Sequence, residues 1–376
     1  MAYTSFIFGI LFLSFTTLLT TGTVNVLLID QYAPFVFKIN TNYLSIGLDS
    51  SVIASNFKNF NMSDPKLVKI IGHLSPAYLR VGGNMADCLI FQSNNKRSLK
   101  ENIGEKIDGG DCSYSNDYCQ YQVLPNFTMN GIDWLNLNNL TRNAKLDMIF
   151  DLNVLRRFPN NSWNPENAKQ LIEFSNRHNL DISWQLGNEP NAFRHQFNRA
   201  VNATQLAMDF QVLKKILNKY RRYEKSLLIG PETTRPQAEK KDSITYMTEF
   251  LKNAGNIIDI ISWHQYYFNG RTASAHDFLD PKIFDILTWQ IDTILEIQKR
   301  FKLSAKRVWL TETSSAWGGG SPLYSDRFIG SFIWLDKLGL AAKKGIDVVV
   351  RQSIFSGYYA LIANDYIPNP VSVTIS

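Results

Sequence analysis

An α/β fold, a (β/α)8 barrel, is predicted by three features of the sequence. Eight short apolar segments of strand length run through the chain, most of them separated by helical stretches. The chain has 376 residues, 45% of them hydrophobic, enough for the single core of such a barrel. Two of the eight segments close on a glutamate: Glu189 in Trp184-Gln185-Leu186-Gly187-Asn188-Glu189-Pro190, and Glu312 in Val308-Trp309-Leu310-Thr311-Glu312-Thr313. Strand C-termini are where barrels of this class carry chemistry.

The elements follow in order. No charged side chain precedes Asp30, and residues 6–19 form an apolar run followed by Thr20-Thr21-Gly22-Thr23. That pattern reads as a secretory signal over residues 1–22. The apolar run is shorter than the ~20 residues needed to span a bilayer. The expected destination is extracellular, lysosomal or matrix-associated, with no stable membrane span after signal removal. Residues 23–40 contain two short strand candidates, 24–29 and 35–39, and the barrel is expected over 41–376. Its strands are placed at 44–49, 77–83, 146–152, 182–187, 227–230, 260–267, 308–311 and 348–355. A helix is expected near 64–74. Another begins at Asn164-Pro165, a capping residue followed by proline at the first helical position. Further helices are expected at 203–220, 246–253, 278–300 and 325–344, the last with Phe328, Phe332, Leu335 and Leu338 at helical spacing. Residues 92–142 are polar and weakly periodic and read as an excursion outside the core. After the eighth strand, Pro368 and Pro370 leave little room for a final helix.

The formal net charge of +6 favours an acidic partner and says nothing about fold, and an ordinary basic secreted protein reads equally well; no nucleic-acid partner is expected. Of three cysteines, Cys112 and Cys119 lie in a turn-rich stretch and can close a small loop, leaving Cys88 as a buried thiol. No Cys/His spacing fits a zinc site, and no glycine-rich phosphate loop follows a strand, so neither metal nor cofactor is expected. Asn61, Asn126, Asn139, Asn160 and Asn202 head glycosylation triplets compatible with secretion.

Two carboxylates at strand ends, Glu189 on the fourth strand and Glu312 on the seventh, meet the demand of glycosidic bond cleavage. One stays protonated to donate to the leaving oxygen; the other stays ionised to attack or to activate water. His264 lies two residues before Tyr266, on the same strand face. Arg157 and Arg235 fall in loops after strands, where guanidinium can grip sulfate or carboxylate, although ordinary solvated charge reads equally well.

At this point a family resemblance enters. Trp184-x-Leu-Gly-Asn-Glu-Pro-Asn191 and Leu310-Thr-Glu-Thr-Ser-Ser-Ala-Trp-Gly-Gly-Gly320 resemble the acid/base and nucleophile segments of the heparanase-type endo-β-glucuronidases, glycoside hydrolase family 79. So do Trp263-His264-Gln265-Tyr266-Tyr267-Phe268-Asn269-Gly270-Arg271, Trp334-Leu-Asp-Lys-Leu-Gly-Leu340 and Ser75-Pro-Ala-Tyr-Leu-Arg-Val-Gly-Gly83. The resemblance implies a retaining hydrolase acting on heparan sulfate or another acidic glycosaminoglycan, with Glu189 as acid/base and Glu312 as nucleophile. It further implies that Asn188 donates to the sugar 2-hydroxyl and that Tyr266 hydrogen-bonds the nucleophile. Asp49, Arg271, the Gly318-Gly319 backbone and Tyr359 become substrate contacts on the same basis. His264 joins them by sharing the Tyr266 face, the other reading of that pair being a satisfied polar layer inside the barrel.

The sequence departs from the family pattern in three places. Gln237 stands where an arginine is expected, and Pro125-Asn-Phe-Thr-Met-Asn130 replaces a basic run before the third strand. The segment corresponding to a linker removed on maturation is shorter. The family's barrel-closing helix and C-terminal β-sandwich have no counterpart before Ser376. In the family the strands expected at 24–29 and 35–39 join that sandwich, so here they are expected to have open edges and an uncovered apolar face. The competing reading is a non-catalytic glycan-binding or decoy protein that retains both carboxylates.

Overall fold

Parallel strands order the chain into a ring. In the computed structural model, residues 34, 37–93 and 125–374 are described; the expected signal segment, the 24–29 strand and the Cys112–Cys119 pair lie outside them. Of the strand expected at 35–39, residues 37–39 are described and carry no strand. The barrel strands are β1 (Leu44–Asp49), β2 (Tyr78–Gly82), β3 (Asp147–Leu152), β4 (Ile182–Leu186), β5 (Ile229–Thr233), β6 (Ile260–Gln265), β7 (Arg307–Thr313) and β8 (Val348–Arg351). Their order in the sheet is β4-β3-β2-β1-β8-β7-β6-β5, with every pairing parallel. The ring closes between β4 and β5: Trp184 N donates to Leu227 O at 2.8 Å, and Glu189 N to Glu232 O at 3.0 Å.

Strands buried on both faces need a helical jacket, and the connections supply it. The longer helices are α1 (Pro65–Gly72), α2 (Gly131–Asn143), α3 (Glu166–Arg177), α4 (Ala203–Leu217), α5 (Asp242–Ala254), α6 (Ile286–Arg300) and α7 (Gly330–Lys343). Side-chain caps start several of them. Asp64 accepts from Lys66 N at 2.8 Å, Asn130 from Asp133 N at 2.8 Å, and Asn202 from Gln205 N at 2.8 Å. Asn164 accepts from Glu166 N at 3.1 Å, but the cap falls one residue later than expected, on Pro165, and the helix begins at Glu166.

Inside the ring the period of two sorts residues into layers. Ile149, Ile229, Ile260, Trp309, Val348 and Val350 form an apolar plug of their own, separate from the cluster under the helices. Two residues further along, the same inward positions become polar: Asp151 above Ile149 on β3, and Ser262 then His264 above Ile260 on β6. The site is therefore a charged layer resting on a dry floor.

Several elements differ from the sequence reading. The polar excursion ends too late in that reading. Phe127–Asn130 is a strand paired with Leu89–Gln92, and α2 buries Trp134, Leu137 and Leu140. Asn136, Asn138, Asn139 and Asn143 dilute its apolar face, yet Asn138 and Thr141 turn back to bond Trp134 O and Leu137 O. Strand β5 runs to Thr233 rather than stopping at 230. Helix α7 starts at Gly330, not 325. Its core face is Ile333, Trp334, Lys337 and Ala341, whereas Phe328, Phe332 and Leu335 are exposed. Cys88 is buried, and burial, then the Asp87 charge, pushes its thiol up to about 12. All five triplet asparagines are exposed. Among the described residues, no helix is long and apolar enough to cross a membrane.

Candidate active site

Two irregularities in the ring aim the acids inward. Register along β5–β6 passes from Pro231↔Ser262 to Thr233↔Trp263, and along β7–β6 from Leu310↔Trp263 to Glu312↔His264. Each shift inserts one extra residue, so Glu232 and Glu312, which strict alternation would turn outward, face the barrel axis. Glu189 and Glu232 also occupy the left-handed backbone region, with φ of 53° and 61°. Such conformations cost about 1–2 kcal/mol for a residue with a Cβ and gather at functional sites.

Arg80, on β2, sits at the centre with 1% of its surface exposed. Its Nε donates to Gln185 Oε1 at 2.9 Å, Nη1 to Glu312 Oε2 at 2.7 Å, and Nη2 to Asn188 Oδ1 at 2.9 Å. Nη2 also lies 3.0 Å from Glu232 Oε2 and 3.6 Å from Asp151 Oδ2. Tyr266 donates its hydroxyl to Glu312 Oε1 at 2.8 Å. Burial opposes ionisation of Glu312. The charges of His264 and Arg80 and the bonds from Tyr266 and Arg80 outweigh it, holding the carboxyl below its ordinary range.

His264 bridges the acids. Nε2 lies 2.9 Å from Glu232 Oε2, Nδ1 lies 3.1 Å from Glu189 Oε1, and Nδ1 is 4.0 Å from Glu312 Oε2. Burial disfavours the imidazolium, but the Glu312 charge and the bonds to Glu189 and Glu232 raise its pKa to about 10. Oxygen and nitrogen atoms of Glu189, His264 and Glu312 lie within 4.8 Å of one another. That spacing would also suit a cation, but both ring nitrogens already face carboxylates, so the triad is an acid–base cluster. Glu189 is the most open of its members, and Gln196 Nε2 reaches its Oε2 at 3.3 Å.

Around this centre, Asn188 is locked from three sides. Its backbone N donates to Asp87 Oδ2 at 2.9 Å, Gly83 N donates to its Oδ1 at 3.2 Å, and its Nδ2 donates to Asn84 Oδ1 at 3.0 Å. Asp49 accepts from Gln352 Nε2 at 2.8 Å and Ser51 N at 2.8 Å. Gly83 must be glycine: at φ 104° a Cβ would lie 2.6 Å from Asp49 Oδ2. On the opposite rim, Gly318, Gly319 and Gly320 all have positive φ, and open space faces Gly319. Arg271 Nη1 lies beside Gly318, and Gly320 is pressed against the Tyr359 backbone. Tyr359 stacks on Tyr266 with ring centres 6.3 Å apart. Arg235 donates to Tyr266 O at 3.0 Å and lies 4.2 Å over the Trp317 ring.

The structure thus brings Asp49, Asn188, Glu189, Arg235, His264, Tyr266, Glu312 and Tyr359 to one strand-end rim, with Arg271 and Gly318-Gly319 at its edge. Arg157 is a correction. Its guanidinium pairs with Asp209 at 2.9 Å, bonds Asn161 O and Val154 O, and is 3% exposed, so it serves the scaffold and cannot meet a glycan. Sequence reasoning left out Arg80, Glu232, Asp87 and Asp151. An arginine on the inward period of an apolar strand was the available signal for Arg80.

Comparison with known proteins follows the same lines. The family profile described as "Glycosyl hydrolase family 79, N-terminal domain" matches residues 48–339. Rat heparanase is 35% identical over 382 residues, covering 93% of this chain and 69% of that protein. Human inactive heparanase-2 is 33% identical over 373 residues, covering 88% and 62%. The hyaluronoglucuronidase of the leech Hirudo nipponia is 29% identical over 347 residues, covering 89% and 69%. The chain therefore spans about two thirds of the length of these relatives.

Proposed function

The chain belongs to glycosyl hydrolase family 79, and on that premise we propose a retaining β-glucuronidase acting on heparan sulfate or a related acidic glycosaminoglycan. One observation carries the reading: carboxylate oxygens of Glu189 and Glu312 lie within 4.8 Å of each other across the strand ends. Retaining enzymes hold their two carboxyl groups about 5–5.5 Å apart, and inverting ones need room for a water between them. In the first step, the ionised Glu312 carboxylate bonds to the anomeric carbon as the glycosidic bond breaks. Glu189 gives its proton to the departing oxygen. In the second, Glu189 takes a proton from water, whose oxygen displaces Glu312 and restores both groups.

The environments support this division. Tyr266, Arg80 and His264 stabilise charge on Glu312, while Glu189 is the more solvent-open of the two. Arg271, the Gly318-Gly319 turn, Tyr359 and Arg235 are the groups suited to a sugar carboxylate or sulfate. Secretion and glycosylation of the exposed asparagines belong to the same proposal.

The test is hydrolysis of a chromogenic aryl β-glucuronide and of heparan sulfate and hyaluronan chains. Wild type should release the chromophore, and Glu312→Ala should show no turnover above background. Saturable binding of heparan sulfate without turnover by folded wild type would overturn the hydrolase and favour the non-catalytic reading, which the likeness to inactive heparanase-2 keeps in view.

A further inference from the structure

We infer that Glu232 is a positioning residue that, through His264, fixes which oxygen of Glu189 carries the transferable proton. This rests on the acid/base role proposed for Glu189. Glu232 cannot touch a substrate, because it is fully buried and both its oxygens are taken. Oε1 accepts from the Thr311 hydroxyl at 2.8 Å; Oε2 faces His264 Nε2 at 2.9 Å and Arg80 Nη2 at 3.0 Å. Its backbone carbonyl holds Glu189 N at 3.0 Å. One residue thus grips the acid/base glutamate twice, once by its main chain and once through the imidazole.

Proton placement follows from which atoms can donate. A carboxylate locked against Nε2 requires a hydrogen there, and Nδ1 faces Glu189 Oε1 at 3.1 Å. With both nitrogens protonated, Nδ1–H occupies Glu189 Oε1 as an acceptor. A hydroxyl hydrogen on that oxygen would meet the N–H, so the transferable proton resides on Oε2. There the Gln196 amide, whose Oε1 is buried without a partner, turns over to accept it. The groups facing the imidazole are Glu189, Glu232, Glu312 and, further off, Asp151, with Arg80 the nearby cation. Burial keeps Glu232 from ionising easily, but Arg80 and His264 overcome that and hold its carboxyl below the ordinary range. Without this charge the imidazolium keeps the Glu312 attraction but loses its Nε2 anchor, so the Nδ1 proton is released more easily; Nδ1 can then accept, placing the Glu189 hydrogen on Oε1 instead.

The experiment has two arms. In the kinetic arm, Glu232→Gln is compared with wild type on aryl β-glucuronides whose leaving phenols range from dinitrophenol to unsubstituted phenol. A misplaced acid proton matters only when the leaving group needs it. The variant should lose ~10²-fold or more in kcat on the phenyl substrate, yet stay within about threefold on the dinitrophenyl one. Glu232→Asp, which keeps the charge, should recover most of the loss, and the Glu232→Gln pH profile should gain a limb below the wild-type histidine value of about 10. Equal losses on all leaving groups would make Glu232 merely structural and overturn the inference.

The second arm needs no turnover. Nitrogen-15 NMR of the His264 ring, assigned by its disappearance in His264→Gln, should show both nitrogens protonated in wild type at pH 7.5 and one in Glu232→Gln. A wild-type ring titrating near 6.5 overturns the inference even if every variant fails to fold. A wild type that hydrolyses no glucuronide, yet holds a doubly protonated ring, counts against the proposed function and leaves the Glu232–His264 linkage standing.

Discussion

The two halves of the strand-end rim are charged in opposite senses. Along β2 to β5 acids are in surplus: Asp87, Asp151, Glu189 and Glu232 gather around Arg80 and His264. At the rim along β6 to β8, Glu312 and the bridging His264 apart, the buried charges are cations. Lys337 donates to Ser314 O at 2.6 Å and sits 4.5 Å from the centre of the Tyr267 ring. Arg351 donates to Tyr359 O at 3.2 Å and lies 4.6 Å over Trp334. Among the described residues neither has a carboxylate partner. Mutual pairing makes the acid half a device for holding protons. The cation half lies beneath Tyr359 and the glycine turn, on groups too buried to touch a ligand themselves, and acts on the rim through the Tyr359 carbonyl.

The largest effect should come from breaking the acid half. Arg80→Met leaves the carboxylates of Glu232, Glu312 and Asp151 buried without their shared cation. Removing one partner of a buried charged network typically costs about 3–5 kcal/mol. Urea denaturation at pH 7 should show that loss, shrinking toward pH 4 as the acids take up protons. A loss under about 1 kcal/mol at pH 7 would mean that Arg80 is not what holds the acids together.

A smaller, selective effect is expected from the other half. Arg351→Met removes the cation that holds the Tyr359 carbonyl, so it should raise KM for an aryl β-glucuronide about tenfold. KM for the matching β-glucoside should hardly change, because that sugar has no carboxylate. Equal changes on both sugars would show that the cations support the fold alone.

These halves were unequally legible in the sequence. Glu189 and Glu312 stood out because each closes an apolar run, and the alternation of strands and helices sufficed to place the ring. Glu232 is hidden because the apolar run over 227–230 stops at Pro231, whereas the strand continues to Thr233. Its inward aim depends on a one-residue register shift, which alternation counting cannot see. Arg157 shows the reverse error: a loop arginine after a strand looks like a glycan contact, and only the position of Asp209 on α4 assigns it to the scaffold. On α7 and the turn before it, the spacing of Phe328, Phe332 and Leu335 marks an exposed face. Helical spacing of apolar residues says that a face exists, not that the described chain covers it.

The smallest effects separate the halves by the sign of their response to pH. Burial, against bonds from Asn188 N and Val154 N and the Arg80 charge, lifts the Asp87 carboxyl to about 7. The folded state then binds a proton that the unfolded chain has released above ~3.9, so this contribution is complete below ~3.9 and is lost as pH rises through about 7. Lys337 has the opposite sign. Burial, then the Arg351 and Arg235 charges, hold its amine well below the ordinary range. Here the unfolded chain binds the extra proton, so the contribution is complete above ~10.4 and is lost as pH falls through the folded value. Subtracting the melting temperatures of Asp87→Asn from those of wild type should give a difference that falls by a few degrees between pH 4 and 8. The same subtraction for Lys337→Met should give one that rises toward alkaline pH. Two differences of the same slope would mean that the halves do not carry opposite buried charge, and the contrast between them would fail.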